Sequence, residues 1–347
     1  MKYDKENLAR LAKELEIYKM KANAPMAEYT SFRIGGPADL LFMPSDREQL
    51  EYGIKKAKEL DVPYMIIGNG SNLLVSDSGI EGLVIRIAGD FSGIEYSKNK
   101  LKARAGTLIS VAAKDSVEHG LMGLEWAAGI PGTVGGAVAM NAGAYGGEIK
   151  QVLTKVEYIE DGAVCSVEPE NSDLGYRFSR FAAPERIVLS AEFSLSPDDG
   201  MTKERMKDYS ERRRAKQPLT YPSAGSTFKR PAGYYAGALI EQADLKGVSV
   251  GGAEVSTLHA GFIINKGGAT SEDVKRLIEL VQERVYENSG VTLETEVSEG
   301  KAYAAYNSYR HVRSGQDSGP EKVRGFGLFL RGQPALRNVC RPCGALQ

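Results

Sequence analysis

Two glycine-rich stretches hold the residue types that could do chemistry: IGNGSNLLVS at 67–76 and GLEWAAGIPGTVGGAVAMNAGAYGGE at 123–148. In the first, Gly68 and Gly70 let successive backbone N–H groups converge on an anion, and Ser71 can add a hydroxyl. No Gly-Lys-Ser/Thr follows, so this is not a Walker loop, and the next element reads as a strand, which excludes a Rossmann fingerprint. The second stretch carries seven glycines between Gly129 and Gly147. Each costs roughly 0.5–1 kcal/mol in a regular element relative to alanine. A flexible linker would be polar. Here Ile130, Val134, Val138, Met140 and Tyr145 lie between the glycines, so the stretch reads as a packed loop that a ligand approaches closely. Together the two loops suggest a diphosphate cradled between neighbouring lobes.

Other chemistries lose ground on counts. The three histidines, His119, His259 and His311, are too scattered for a metal cluster, and no metal site is expected. Three cysteines in 347 residues fit a reducing compartment. Lys+Arg is 44 against Asp+Glu at 45, which gives no electrostatic case for nucleic acid or a membrane surface. The charged N-terminus has no signal-peptide core, and no apolar run approaches a membrane span, so a cytoplasmic location is expected. With so few histidines, a cofactor is expected to supply the reactive atoms.

The elements that must position these loops follow from periodicity. Leu8, Leu11, Ala12 and Leu15 mark an N-terminal helix. Ser45 with Glu48 predicts a capping box before a helix facing inward through Leu50, Ile54, Ala57 and Leu60. VPYMII, LLVS and GLVIRI read as strands, and Thr107 is expected to open a helix that Gly120 ends. From 151 to 195, VLTKVEYI, AVCSVEP and RIVLSAEFSL alternate as strands. Helices are predicted at Thr202–Lys216, at about Ala236–Ala243, and from Glu272 to about Glu287 behind a Thr270–Asp273 cap. GFIIN and a closing TLETEV read as strands, and the mixture is α+β. Residues 301–347 hold eight Lys/Arg against two Asp/Glu and read as a mobile tail, with Cys340 and Cys343 as an unpartnered CxxC.

The blocks YTSFRIGGPAD, IGNGSNLLVSD, the 123–148 loop, YRFSRF, SAGSTFK and LETEV occur in the order seen in the UDP-N-acetylenolpyruvoylglucosamine reductase family, which the chain resembles over about 20–300. The short spacing between YR and SAGSTFK resembles the family's type II form. The resemblance implies a two-lobed FAD-binding domain of the PCMH/vanillyl-oxidase-like flavin fold plus a C-terminal α+β substrate-binding domain. It implies an N-terminal helix in 1–20, FAD lobes at 21–90 and 91–213, and the substrate domain at 214–300. It also implies non-covalent FAD, NADPH as co-substrate, UDP-N-acetylglucosamine enolpyruvate as substrate, and a monomer. FAD contacts are implied at Arg33, Gly68, Asn69, Gly70, Ser71, Asn72, Leu73, Gly129, Thr133, Gly135, Gly136, Ala137, Asn141, Gly143 and Arg213. Tyr145, Lys216 and Lys229 are implied substrate contacts.

Three residues match the family's catalytic positions. Arg177 would hold the enolpyruvyl carboxylate, Ser226 would donate the proton, and Glu296 would support the enolate. By residue type alone these are a strand-end arginine, a turn serine and an edge-strand glutamate, with Glu294 on the opposite face. Arg230, Gly261 and Ser298 depart from the family pattern and put details of substrate contact in question. The alternatives are an FAD-dependent oxidase of the same fold, tethered through His119 or His259, and a nucleotide-binding module without turnover.

Overall fold

The computed structural model of the chain describes residues 4–299. Helix α1 (Lys5–Leu15) is opened by the Asp4 carboxylate, which accepts the Glu6 N–H, and it buries Leu11 and Leu15. Strands β1 (Met20–Pro25), β2 (Pro37–Phe42), β3 (Tyr64–Ile67), the two-residue β4 (Leu73–Leu74) and β5 (Ile80–Arg86) follow. The first sheet runs β1-β2-β5-β3, with β2 and β3 both parallel to β5. The parallel pairs need a crossover, and helix α2 (Arg47–Glu59) supplies it between β2 and β3. Gly53 on α2 is required by close approach: a Cβ there would stand 2.9 Å from Phe42 Cδ1 and nearer still to Cε1. The α2 cap falls one residue later than expected. Asp46 accepts the Gln49 N–H, and Gln49 rather than Glu48 reaches back to Ser45.

A second, antiparallel sheet is built on 153–160 and 186–194, with 163–167 at one edge and a hairpin of β6 (Ile94–Ser97) and β7 (Lys100–Arg104) at the other. The sequence does not announce this hairpin, because charged residues alternate through its second strand. Its outward residues Lys100, Lys102 and Arg104 hide an inward pair, Leu101 and Ala103, that is fully buried. Helix α3 (Ile109–Glu118) starts two residues after Thr107, whose hydroxyl is instead spent on the Gly93 carbonyl. One hydrophobic core spans both sheets, from Leu40 and Phe42 to Leu101, Val156 and Phe193.

The glycine stretch also holds an unforeseen helix, α4 (Val134–Ala139), capped by Thr133 through the Gly136 N–H. Its first amides are satisfied by the chain itself: Val134 donates to Thr107 O and Gly135 to Ala105 O. Helix α5 (Thr202–Lys216) has the predicted bounds.

The last unit packs α6 (Ala236–Gln242) and α7 (Ser271–Ser289) on short strands at 249–250, 253–255 and 263–265. The α7 stripe of Val274, Leu277, Val281 and Val285 is fully buried; Thr270 and Asp273 form the capping box, and Gly290 ends the helix at φ +70°. Its core takes in Phe32, Ile34 and Leu74 from the first sheet's side of the molecule. Asp77 reaches across as well, accepting from Ser271 N and Oγ at 2.8 Å each and from Glu272 N at 3.2 Å. A carboxylate at a helix N-terminus is favoured by both the free amides and the dipole. LETEV is not a strand. It makes one bridge, Thr295 with Phe228, before a two-residue pairing of Ser298–Glu299 with β4. Cys340, Cys343 and the expected tail lie outside the described residues.

Candidate active site

The two glycine loops adjoin. Asn69 donates from its side chain to Pro131 O at 2.9 Å, and a Cβ on Gly68 would overlap the Thr133 hydroxyl. Gly70 sits at φ +64° with its Cα facing the Tyr29 carbonyl, so only glycine fits. The backbone N–H groups of Asn69, Gly70 and Ser71 have no partner among the described residues. Three successive free amides on one turn form an anion nest. Gly132 faces the same space: a Cβ there would have Ser71 Oγ at 3.5 Å and little else nearby.

Cations without acidic partners among the described residues gather here. Arg213, on α5, lies over Gly129, where a Cβ would stand 2.8 Å from its Cδ. Burial lowers its pKa from the ordinary arginine value, which marks an environment that lacks a counter-anion. Arg86 gives Nη2 to Asn69 Oδ1 at 3.1 Å, and its buried Nε has no partner. Arg33 is exposed at φ +55° on the turn beside Gly70. Free amides, open glycine faces and unneutralised guanidinium groups fit the diphosphate of a dinucleotide such as FAD.

Not every implied contact has a side chain to spare. Leu73, Ala137 and Thr133 are buried in the core, leaving only backbone to face a ligand. Asn141 is 2% exposed; its amide donates to Glu148 and to Gly175 O and accepts the Lys150 N–H. It therefore braces the turn that precedes Arg177. Asn72 gives its amide to Glu296 O at 3.0 Å and to Met140 Sδ at 3.4 Å.

Gly135 turns its missing side chain toward the turn after β7: a Cβ there would lie 3.0 Å from the Ala105 Cβ, so glycine at this position allows close packing of α4 on that turn. Gly135→Ala is accordingly expected to lower stability by about 1–3 kcal/mol through overpacking and to leave FAD affinity near normal. Gly132→Leu should do the reverse, weakening FAD by about tenfold with little change in melting temperature. Fluorescence titration and thermal melts separate the two. Equal FAD loss in both variants would contradict this division.

Arg177, Ser226 and Glu296 line one cleft of about 410 Å³, with Arg230, Tyr235 and His259 on its walls. Arg177 occupies a turn at φ +53° and donates from Nε to Glu296 Oε1 at 2.7 Å. Nη1 reaches the Gly143 carbonyl at 3.5 Å, which leaves Nη2 for a ligand. Burial pushes the Glu296 carboxyl above its ordinary pKa, while Arg177 and, more weakly, Lys229 pull it down. The Glu296 N–H donates to Thr227 O and the Lys229 N–H to Glu294 O, both at 2.8 Å, which sets the Ser226 turn against Glu296. Gly225, at φ +81°, makes the bend before Ser226. The Ser226 hydroxyl has no hydrogen-bond partner among the described residues, so its proton is available.

Glu294 points outward and pairs with Lys229 at 3.2 Å. Lys229, the exposed Lys216 and Tyr145, which stacks on Tyr209 at 4.8 Å, all lie outside the lining of this cleft. His259 and Tyr235 also line the cleft without being expected there; His259 opens the HAGF block whose Gly261 departs from the family pattern, and no local motif marks Tyr235.

Two family models match: an FAD binding domain over 38–167, and the C-terminal domain of UDP-N-acetylenolpyruvoylglucosamine reductase over 217–299. A UDP-N-acetylenolpyruvoylglucosamine reductase of Alkaliphilus oremlandii is 50% identical over 79% of this chain and 90% of its own length. The chain belongs to the UDP-N-acetylenolpyruvoylglucosamine reductase family. A member from Clostridium tetani is 45% identical over 86% of this chain and 97% of its own length. The crystal structure of the Thermus caldophilus reductase superposes with a TM-score of 0.69 at 38% identity, covering 81% of this chain and 98% of that one. Membership makes the chain an FAD-dependent oxidoreductase, with the α+β flavin-domain and C-terminal-domain architecture expected from the sequence. No helix among the described residues is long and apolar enough to cross a membrane.

Proposed function

We propose that the protein reduces UDP-N-acetylglucosamine enolpyruvate to UDP-N-acetylmuramate in peptidoglycan precursor synthesis, with NADPH as the electron source. FAD, when bound, supplies the hydride chemistry, linking NADPH oxidation to reduction of the enolpyruvyl β-carbon. The loops at 68–72 and 129–136, with Arg213, hold that cofactor without a covalent bond. Arg177 grips the enolpyruvyl carboxylate through its free Nη2, and its positive charge matters more as the carboxylate takes on enolate character. Ser226 donates its proton to the α-carbon; an alcohol is a weak acid, but an enolate is a base strong enough to take it. Glu296 fixes the Arg177 guanidinium and sits against the developing enolate. Tyr145, Lys216 and Lys229 meet the nucleotide portion as it leaves the cleft. FAD lobes at 21–90 and 91–213, a substrate domain at 214–300 and a monomer working in the cytoplasm complete the reading.

The observation that carries it is the convergence of Arg177, Ser226 and Glu296, from three separate segments, on one cleft tied to the flavin loop through Asn72. The test is NADPH oxidation by purified, FAD-loaded protein. Turnover is expected only when UDP-N-acetylglucosamine enolpyruvate is added. An NADPH oxidation rate indifferent to that substrate would overturn the reading.

A further inference from the structure

We propose that His259 is a substrate-binding residue: its Nε2–H donates a hydrogen bond to an oxygen of the substrate's glycosyl unit, from a ring seat that glycine at 237 and 261 makes available. The inference rests on the substrate reading above and adds a contact to it.

His259 lines the same cleft as Arg177, Ser226 and Glu296. The Gly261 N–H donates to its Nδ1 at 3.1 Å, so a neutral ring carries its proton on Nε2. That Nε2–H has no partner among the described residues. A neutral imidazole has one N–H to give, and an unspent donor on a cleft wall is a donor for what enters the cleft.

The ring's position is built rather than incidental. A Cβ on Gly261 would stand 3.0 Å from its Cε1, and one on Gly237 would stand 3.3 Å from it. Phe262 packs edge-on against the ring, with centroids 4.9 Å apart. The loop is in turn fixed to the Ser226 turn, because the Thr227 N–H donates to Gly261 O at 2.8 Å. A ring so placed is indexed to the proton donor. Burial lowers the imidazole pKa; Lys246 adds to this and Glu241 opposes it. The ring is therefore a neutral donor, suited to an uncharged oxygen such as an amide carbonyl or a hydroxyl, while the carboxylate goes to Arg177.

Three variants of the FAD-loaded protein test this: His259→Ala, His259→Gln and Gly261→Ala. Affinity for UDP-N-acetylglucosamine enolpyruvate is read by titrating the absorbance of the oxidised flavin. One net hydrogen bond corresponds to roughly a tenfold effect, so His259→Ala is expected to weaken binding about tenfold. Gly261→Ala, which displaces the ring without removing it, should do the same. His259→Gln retains an N–H donor and should recover to within about threefold of the unsubstituted protein. FAD content and melting temperature report on folding in each case. Unchanged affinity in His259→Ala, or a glutamine variant as weak as alanine at equal stability, would overturn the inference alone. If the unsubstituted protein does not bind the compound at all, the substrate reading falls and this inference falls with it.

Discussion

Ser226→Ala should hold FAD normally, accept electrons from NADPH at a near-normal rate, and then stall. The hydroxyl lies in the cleft with Arg177 and Glu296 and spends its proton on no other described residue. Reduction of the cofactor places no proton on a substrate carbon, so that half-reaction does not need Ser226. Transfer to the enolpyruvyl group does, because the α-carbon cannot remain an enolate. A positioned acid is worth on the order of 10²–10⁴-fold, and the oxidative half-reaction should slow by at least that range. Stopped-flow absorbance resolves the two halves. If only the NADPH half slows, Ser226 is not the donor. If neither does, it is a turn residue.

Arg177→Ala is expected to slow the same half-reaction by about 10²–10³-fold, the size of one lost contact to a developing oxyanion. It should also weaken substrate binding, since the carboxylate is present before hydride arrives. Glu296→Ala should cost a similar factor in rate with less effect on affinity, because Arg177 keeps its charge. The pair is mutually dependent: the side chains are 22% and 11% exposed, and removing either leaves the other buried without its partner. Residues in one network are not additive, so the double variant should be little slower than Arg177→Ala. Losses that multiply across the two would show that they act separately.

The sequence displays what is local. The Thr270–Asp273 box and Gly290 bracket α7 within a residue or two because a helix end is decided by its own side chains. Helix α4 carries no helical signal because its six residues, VGGAVA, include two adjacent glycines and no polar face to set a period; its stability comes from Thr133 and from bonds to Thr107 and Ala105. The packing of Gly135 on Ala105 is equally silent in the sequence, since Ala105 lies in the turn after β7. The cleft of Arg177, Ser226 and Glu296 was legible only through motif resemblance. Arg177 and Glu296 are 119 residues apart, and nothing in either neighbourhood announces the other. His259 shows the limit: its cleft position depends on two glycines, one of them 22 residues upstream in sequence, and on a loop bonded to Ser226's own turn.

The segment bearing Glu296 has a consequence for biosynthesis. It is held from two sides, by the Thr227 carbonyl and by Asn72, whose own carbonyl takes the Ser298 N–H. On the ribosome, the glycine loops and Arg177 emerge long before it, and domains fold in order of emergence. A nascent chain can thus hold both glycine loops and Arg177 while the contacts that brace Asn72 and β4 are still missing. Only when the 294–298 segment docks against Thr227 and Asn72 does the guanidinium find its carboxylate. A product released earlier would lack both the Arg177–Glu296 pair and the brace on the first loop, which ties the onset of turnover to synthesis through residue 298.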